Sequence, residues 1–431
     1  MGDPQDLERM RADWNQRAIE DAYYYAAFSR RDQRDDEFFA TGSGIVTILE
    51  KELRRLRGHD AALEIGCGPG RLMRPLSRHF GEIHGVDISD KMISLAAERL
   101  RDTPNAFPHH GSGSDLKLFP DEKFDFVYSY AVFQHIPSRE VVLEYLREAR
   151  RVLKTGGILR CQINGLPRQS SACNTWTGVH FSPTEIAEFA AAHDFQLLAM
   201  EQVWTQYMWV TCRKRPTGWT KRLLDRDWKP ASARIRDLGN AWTGEALAPA
   251  SGLFASLAVF VYDLPEECDI NYLGMTADGK TCGPTFIGEP ERDGASQVNG
   301  TLPEGLRTGL VPVELRWMGR PLSPPSWIRI VPPGPLVPQI VSYHDGVNLL
   351  SGHRIVSGLV KITMRYVENP ETFRIRVGSR EAAPPEFICV DPIVQKFEFN
   401  FHLPEGIGAG AHQIRACLAR REFTPLSIEV A

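Results

Sequence analysis

The sequence predicts a multidomain chain in which a doubly wound α/β domain precedes two all-β sandwich modules. Three observations carry that expectation. Short apolar runs alternate with helical patterns through the first part of the chain. Proline is denser afterwards, with 18 in residues 251–431 against 12 in residues 1–250. One segment of the second part recurs 101 residues later. At about 150 residues per domain, a chain of 431 residues has room for roughly three domains.

The clearest core strand is Ala61 to Ile65, which runs into Gly66-Cys67-Gly68-Pro69-Gly70. A helix is expected from about Arg71, with Leu72, Leu76 and Phe80 spaced to face a sheet. Glu82 to Asp87 reads as the next strand, and Ser89 or Asp90 can cap the helix that carries Met92, Ile93, Leu95, Ala96 and Leu100. Phe124 to Tyr128 is a further strand. A helix from about Arg139 to Leu153, a stop at Gly156-Gly157 and a strand from Ile158 to Ile163 follow. Pro183 suits the first position of a helix over 183–192. Residues 195–203 and 206–213 suggest a closing antiparallel pair. Strands alternating with crossover helices favour a doubly wound, mostly parallel sheet.

A basic linker helix is expected over 216–250. Residues 213–236 hold nine basic and two acidic side chains, and Trp219, Leu223 and Leu224 form an apolar stripe near Trp228. The stretch reads either as a solvated interdomain helix or as a contact for an anionic acceptor or membrane surface.

Beyond it, the segment from Val298 to Gly305 recurs as Phe399 to Gly406. At the same offset Gly309 meets Gly410, Val313 meets Ile414, Leu315 meets Ala416 and Pro324 meets Pro425. A shared turn and strand pattern at about 100 residues indicates two copies of one β-module rather than a solenoid. The copies, 251–335 and 336–431, look like small immunoglobulin-like sandwiches, with Val313, Leu315 and Trp317 alternating inward.

Composition excludes several function classes. The 50 Lys+Arg against 54 Asp+Glu leave no global basic field to recruit nucleic acid. No run approaches 18 apolar residues, so no membrane span is expected. The polar opening MGDPQDLERMRADW lacks the apolar core of an export signal, which points to the cytoplasm. Eight scattered cysteines form no C-x-x-C pair, so neither a metal knuckle nor a dithiol site is expected.

The chemistry is concentrated at Glu64-Ile65-Gly66-Cys67-Gly68-Pro69-Gly70. Glycines at a strand end let the backbone turn sharply and approach a ligand closely. Before a helix, such a loop is where a doubly wound sheet binds an adenosine-containing cofactor. Asp87, at the end of the second strand, offers a carboxylate to ribose hydroxyls.

Taken in order, LEIGCGPGRL, HGVDIS, GSGSDLKLFPDEKFDFVYSYAVFQHIP and RVLKTGGIL resemble the class I S-adenosylmethionine-dependent methyltransferases over residues 60–163, with an expected reach of 10–215. The resemblance implies a Rossmann-like methyltransferase domain over 1–215, built on a seven-stranded, mostly parallel sheet with an N-terminal helical lid, and S-adenosyl-L-methionine as cofactor. It implies that Glu64, Gly66, Cys67, Gly68 and Gly70 surround the methionine part and the ribose, and that Asp87 binds the ribose. Ile88 and Met92 would lie against adenine, Asp115 and Leu116 would border its amino edge, and Tyr128, Ser129 and Tyr130 would form the floor towards the methyl. No Asn-Pro-Pro-Tyr follows the fourth strand, where Ser129-Tyr130-Ala131-Val132 stands, so a base-modifying enzyme is disfavoured.

Transfer from a sulfonium needs an acceptor lone pair in line with the methyl, and a base only where the acceptor carries a proton. His135 is the base candidate or a structural histidine; Tyr130 is a cleft wall or sheet core. Tyr24, among Tyr23, Tyr24 and Tyr25, is lid or pocket material or a packing residue, and Trp176 and His180 are further pocket candidates. The expected function is methyl transfer to an O or N atom of a small molecule or carbohydrate, with no nucleic-acid partner and a homo-oligomer possible through the β-modules. The alternatives are a non-catalytic binding protein with a vestigial cleft and a nicotinamide-dependent oxidoreductase.

Overall fold

The computed structural model describes the chain apart from residues 1–3, 28–30, 32, 167–172, 177, 229–232, 253, 334–336, 349–351, 368 and 392–393, so the expected module boundary at 335/336 lies outside the described residues. The chain divides into two compact units, Met1–Asp13 with Ser43–Pro335, and Trp14–Gly42 with Leu336–Ala431. This partition differs from the boundaries that composition suggests.

The helices are α1 (Pro4–Ala27), α2 (Asp35–Leu53), α3 (Met73–Leu76), α4 (Asp90–Arg99), α5 (Arg139–Val152), α6 (Pro183–Ala192) and α7 (Trp219–Asp225). In the first unit, β1 (Ala61–Ile65), β2 (Glu82–Asp87), β3 (Ala106–His110), β4 (Phe124–Ser129), β5 (Leu153–Ile163), β6 (Phe195–Glu201) and β7 (Met208–Lys214) form a sheet in the order β3-β2-β1-β4-β5-β7-β6. The first five run parallel, while β7 is antiparallel to both β5 and β6. This is the Rossmann-like arrangement, with the expected closing pair after β5.

Local chemistry sets the helix starts. Ser89 Oγ accepts from the Met92 N–H at 3.1 Å, which makes Ser89 rather than Asp90 the cap of α4. Ser182 and Glu185 form a reciprocal capping box with Pro183 in the first turn of α6. The helix expected from Arg71 is one α-turn, α3, followed by a 3₁₀ turn at Ser77–His79; Leu72, Leu76 and Phe80 are buried as anticipated. The glycine pair at 156–157 does not delay the next strand, which begins at Leu153.

The stretch 216–250 is not a linker helix. Only α7 is helical; β8 (Arg234–Asn240) and β9 (Leu247–Pro249) already belong to the first β-module, β8 pairing with β10 (Ser256–Tyr262). Trp219, Leu223 and Trp228 are buried, and the Trp228 indole N–H donates to Leu223 O at 2.9 Å. Those three side chains are therefore spent on packing rather than offered to a membrane surface, while Leu224 stays exposed.

The first module continues with β11 (Leu273–Ala277), β12 (Lys280–Pro290), β13 (Ala295–Thr301), β14 (Gly309–Trp317), β15 (Arg320–Pro321) and β16 (Ser326–Val331). The second comprises β17 (Gln339–Asp345), β18 (Arg354–Ile355), β19 (Leu359–Arg365), β20 (Phe373–Val377), β21 (Arg380–Glu381), β22 (Glu386–Asp391), β23 (Lys396–His402), β24 (Gly410–Leu418), β25 (Arg421–Glu422) and β26 (Leu426–Val430). Both copies share one plan. One layer orders β8-β10-β13-β12 in the first copy and β17-β19-β23-β22 in the second. The other runs β9-β16-β14-β11 and β18-β26-β24-β20, each opening with a short parallel pair. The ladder refines the offset. Gly309 opposes Ile330 and Gly410 opposes Val430, so the last strands are related by 100 residues rather than 101. The first copy carries one extra residue in Ser323-Pro324-Pro325-Ser326, and Pro324 with Pro325 stands against the single Pro425.

In the first unit the two sheets join. β12 lies beside β6, with Phe286 opposite Ala199. A partly buried charge network braces this seam. Arg160 contacts Glu201 at 2.8 Å and Glu52 at 3.6 Å, Arg213 contacts Glu289 at 2.6 Å, and Arg55 donates to Ile287 O at 2.5 Å.

Candidate functional site

The candidate site is built where β1 ends. Gly66, Gly68 and Gly70 all have left-handed backbones, with φ of +75°, +51° and +84°. At Gly66 a Cβ would overlap the Val132 side chain, so both the turn and its packing require glycine. The Gly66 and Cys67 N–H groups donate to Val86 O at 2.7 and 3.1 Å, which fastens the loop to β2. That contact brings Asp87 to the loop. Its Oδ2 accepts from Gly68 N–H and its Oδ1 from Ser89 N–H, each at 2.9 Å. Each oxygen is engaged once by backbone, which leaves acceptor capacity on both for a vicinal diol. Desolvation raises the Asp87 carboxyl above its ordinary range, opposed by those two N–H groups.

Glu64 lies under the loop. It is buried and accepts from the Tyr128 hydroxyl at 2.8 Å, and desolvation pushes its carboxyl up to about 8. Cys67 turns its side chain into the core, where burial pushes the thiol well up, so only its backbone faces the loop. Ser129 Oγ donates to Ile65 O at 2.9 Å and holds β4 to β1. Ile88 and Met92 form a buried apolar wall; Leu116 is fully buried and its N–H donates to Glu148. Asp115 pairs with Lys117 at 3.2 Å. These groups fit an adenosyl cofactor: close-approach glycines, a diol acceptor and an apolar wall converge at one strand end.

Tyr130 is half-buried beside Trp209, with ring centroids 5.8 Å apart, and the Arg71 guanidinium lies 5.4 Å from its ring centroid. Ala131 follows with a left-handed φ of +57°, unusual for a residue with a Cβ, and its N–H donates to Gln162 Oε1 at 3.0 Å. His135 is buried in the next 3₁₀ turn. Its Nδ1 lies 3.1 Å from Thr175 O, and since a carbonyl only accepts, Nδ1 carries the proton in the neutral ring. Tyr24 belongs to the second unit, where the Arg31 guanidinium lies 4.5 Å from its ring centroid and Arg31 N–H donates to Asn348 Oδ1. His135 and Tyr130 belong to the first.

The loop from Asn174 to Phe181, of which Thr177 lies outside the described residues, is pinned between the segments after β4 and β5. Gly178 and Val179 N–H groups donate to Gln134 O and Ile136 O, and Phe181 N–H to Asn164 O. Beside it is a cavity of about 360 Å³ lined by residues that include Arg139, Cys173, His180, Phe181, Glu185 and Trp204. Trp176 is exposed, edge-on to His135 with centroids 6.2 Å apart.

Sequence reasoning missed Arg71, Gln162, Trp209 and Trp204. Arg71 abuts the glycine loop and Gln162 closes a legible strand, so position gave a signal for both; the two tryptophans come from the closing hairpin, whose approach depends on sheet order.

Residues 63–161 match the family described as Methyltransferase domain. Among curated proteins, the chain is 35% identical over 112 residues to trans-aconitate 2-methyltransferase of Agrobacterium fabrum, a match spanning 26% of this chain and 39% of that protein. Demethylmenaquinone methyltransferase of Staphylococcus saprophyticus is 34% identical over 103 residues, 23% of this chain and 42% of that protein. The chain thus spans about two fifths of the length of these relatives. A solved structure of phosphoethanolamine N-methyltransferase 1 of Haemonchus contortus, in complex with phosphoethanolamine and S-adenosylhomocysteine, aligns with a TM-score of 0.40 at 17% identity, covering 53% of this chain and 52% of that one. The protein carries a class I S-adenosylmethionine-dependent methyltransferase domain fused to β-rich domains. Among the described residues no helix is long and apolar enough to cross a membrane.

Proposed function

We propose that the chain transfers a methyl group from S-adenosylmethionine to an O or N atom of a small molecule or glycan. The observation that carries this reading is the Asp87 carboxylate, fixed by Gly68 N–H and Ser89 N–H over a loop of left-handed glycines. Glu64, Gly66, Gly68, Gly70, Asp87, Ile88 and Met92 would hold the cofactor, with the Asp115–Leu116 segment at its adenine end. When bound, the cofactor supplies a methyl already activated on a sulfonium. Tyr130 and Ser129 are assigned to the cleft floor, and the cavity beside Phe181 and Trp204 to the acceptor. The topology shared by the β-modules supports an immunoglobulin-like reading, with a short parallel pair opening one layer of each.

The test is titration calorimetry with S-adenosylmethionine and with NAD. Binding of the first alone is expected, and NAD binding alone would reject the reading. Glu64 adds a signature. Its raised pKa leaves it mostly protonated at pH 7, and a bound cation favours the carboxylate, so binding releases a proton. In buffers of different ionisation enthalpy, a release of up to one proton is expected at pH 7. It should vanish near pH 9, where the free protein is already ionised.

His135 is assigned as the base for a protonated acceptor, with Nδ1–H held by Thr175 O and Nε2 as the basic nitrogen. His135→Gln should lower kcat by about 10²–10⁴ with cofactor affinity unchanged. Unchanged kcat with reduced thermal stability would make it a structural histidine. The acceptor class is tested with labelled cofactor and fractionated lysate; label found only in RNA or DNA would reject it.

A further inference from the structure

The two β-modules are copies, yet the same edge strand is treated differently in each. In the first, β12 is flanked by β6, and the core-facing Ile287, opposite Val298, is 5% exposed. In the second, β22 holds the equivalent position. Its Phe387 opposes Phe399, the counterpart of Val298 in the 101-residue repeat. Phe387 faces the core side, with ring centroids 5.8 Å from Phe399, but remains 43% exposed; Ile388 beside it is 48% exposed. The module core is therefore open along this edge.

We propose that β22 is a dimerisation edge, closed in solution by antiparallel pairing with β22 of a second copy of this chain. Exposed edges are ordinarily blocked by Lys, Pro or bulges. Residues 386–391 contain no Lys or Arg. The bulge between Cys389 and Asp391 and the neighbouring Pro384 and Pro385 do not preclude pairing, because β12 has bulges and Pro284 and Pro290 and still lies against β6. The sister seam thus indicates what covers this edge: another strand. A twofold pairing selects its own register. Centred on Ile388, the ladder sets Phe387 opposite Cys389 of the partner subunit and Glu386 opposite Val390 of the partner subunit, so no like charges face each other. Centred between Ile388 and Cys389, it would set Glu386 against Asp391 of the partner subunit, which cross-strand repulsion disfavours. One short strand per subunit is at the small end of stable interfaces, so the dimer is weak, with Kd on the order of 10–100 μM.

The experiment is sedimentation velocity of the full chain from about 1 to about 200 μM, a range that brackets this Kd. Reversible dimerisation is expected. Ile388→Lys places two ammonium groups opposite each other and should raise Kd at least tenfold. The fold should persist, because Ile388 is exposed and opposes Glu398. Val341→Lys, at an exposed site on the other edge strand of the same layer, should dimerise as the wild type does. Ile388→Cys should give a reducible covalent dimer on mild oxidation, since directly opposed Cα atoms about 4.5–5.5 Å apart suit a disulfide. A wild-type chain that stays monomeric throughout, an Ile388→Lys chain that dimerises unchanged, or an Ile388→Cys chain that does not crosslink would each overturn the proposal.

Discussion

Replacing Gly68 with aspartate is expected to reduce S-adenosylmethionine binding by at least 100-fold, or about 2.7 kcal/mol, while the chain stays folded. Two effects act together. Gly68 has a left-handed backbone, which a residue with a Cβ enters at a cost of about 1 kcal/mol, and its N–H is one of the two groups that aim Asp87. The added carboxylate would stand beside Asp87, whose own ionisation burial already disfavours. Asp87→Asn is the conservative companion. It keeps the size but removes the charge, and hydrogen bonds to a charged acceptor are worth about 1.5–3 kcal/mol each, so a loss of roughly tenfold or more is expected. Calorimetry on both variants, with circular dichroism as the folding control, decides the point. Wild-type affinity in Gly68→Asp would remove the loop from the site.

Arg160→Met is expected to destabilise the protein by about 3–5 kcal/mol at pH 7, measured as a lower urea midpoint. Arg160 is 1% exposed, Glu52 is 0% exposed, and the guanidinium also lies over the Trp209 ring at 4.2 Å. Methionine fills much of the same volume but leaves Glu52 without its cation. Desolvation already raises the Glu52 carboxyl, and Arg160 is the largest influence holding it down. An acid whose folded pKa is raised binds its proton more tightly when folded, so stability falls as pH rises through the window above its ordinary value. The variant should therefore recover part of its loss as the pH is lowered from 7 towards about 5, the lower end of that window. Adding Glu52→Gln should reduce the loss at pH 7, because the uncompensated charge is then absent. A single variant as stable as wild type would mean that water reaches this seam. Since Trp209 packs on Tyr130, the same substitution also tests whether the network positions the cleft floor: kcat should fall in the soluble, folded fraction while cofactor affinity holds.

The contrast between β1 and β3 explains how much was legible. Ala61–Ile65 is a short buried strand, apolar apart from Glu64, that runs straight into glycines, and Asp87 ends the short strand Glu82–Asp87; each announces itself within a few residues. Ala106–His110 gave no such signal, because it is a partly exposed edge strand with Pro108 inside it, and its pairing with β2 supplies the order that its own sequence lacks. Residues 216–250 were misread for a related reason. A basic stretch with spaced apolar side chains satisfies a helical period, but pairing with β10 takes Arg234–Asn240 into the module. The extra proline in the first copy was likewise invisible until the ladder fixed which residues face each other.

The order of the glycine loop, the carboxylate at Asp87, the strand–helix alternation and the duplicated module were determined by the sequence alone, because each depends on residues close together or on repetition. Tertiary structure alone decided that β12 continues the α/β sheet, that Arg71 and Trp209 flank Tyr130, and that Tyr24 falls in the second unit. The reason is physical. Backbone edges pair through N–H and C=O groups that every residue carries, and buried ion pairs form wherever folding brings opposite charges together, so neither leaves a local pattern to read.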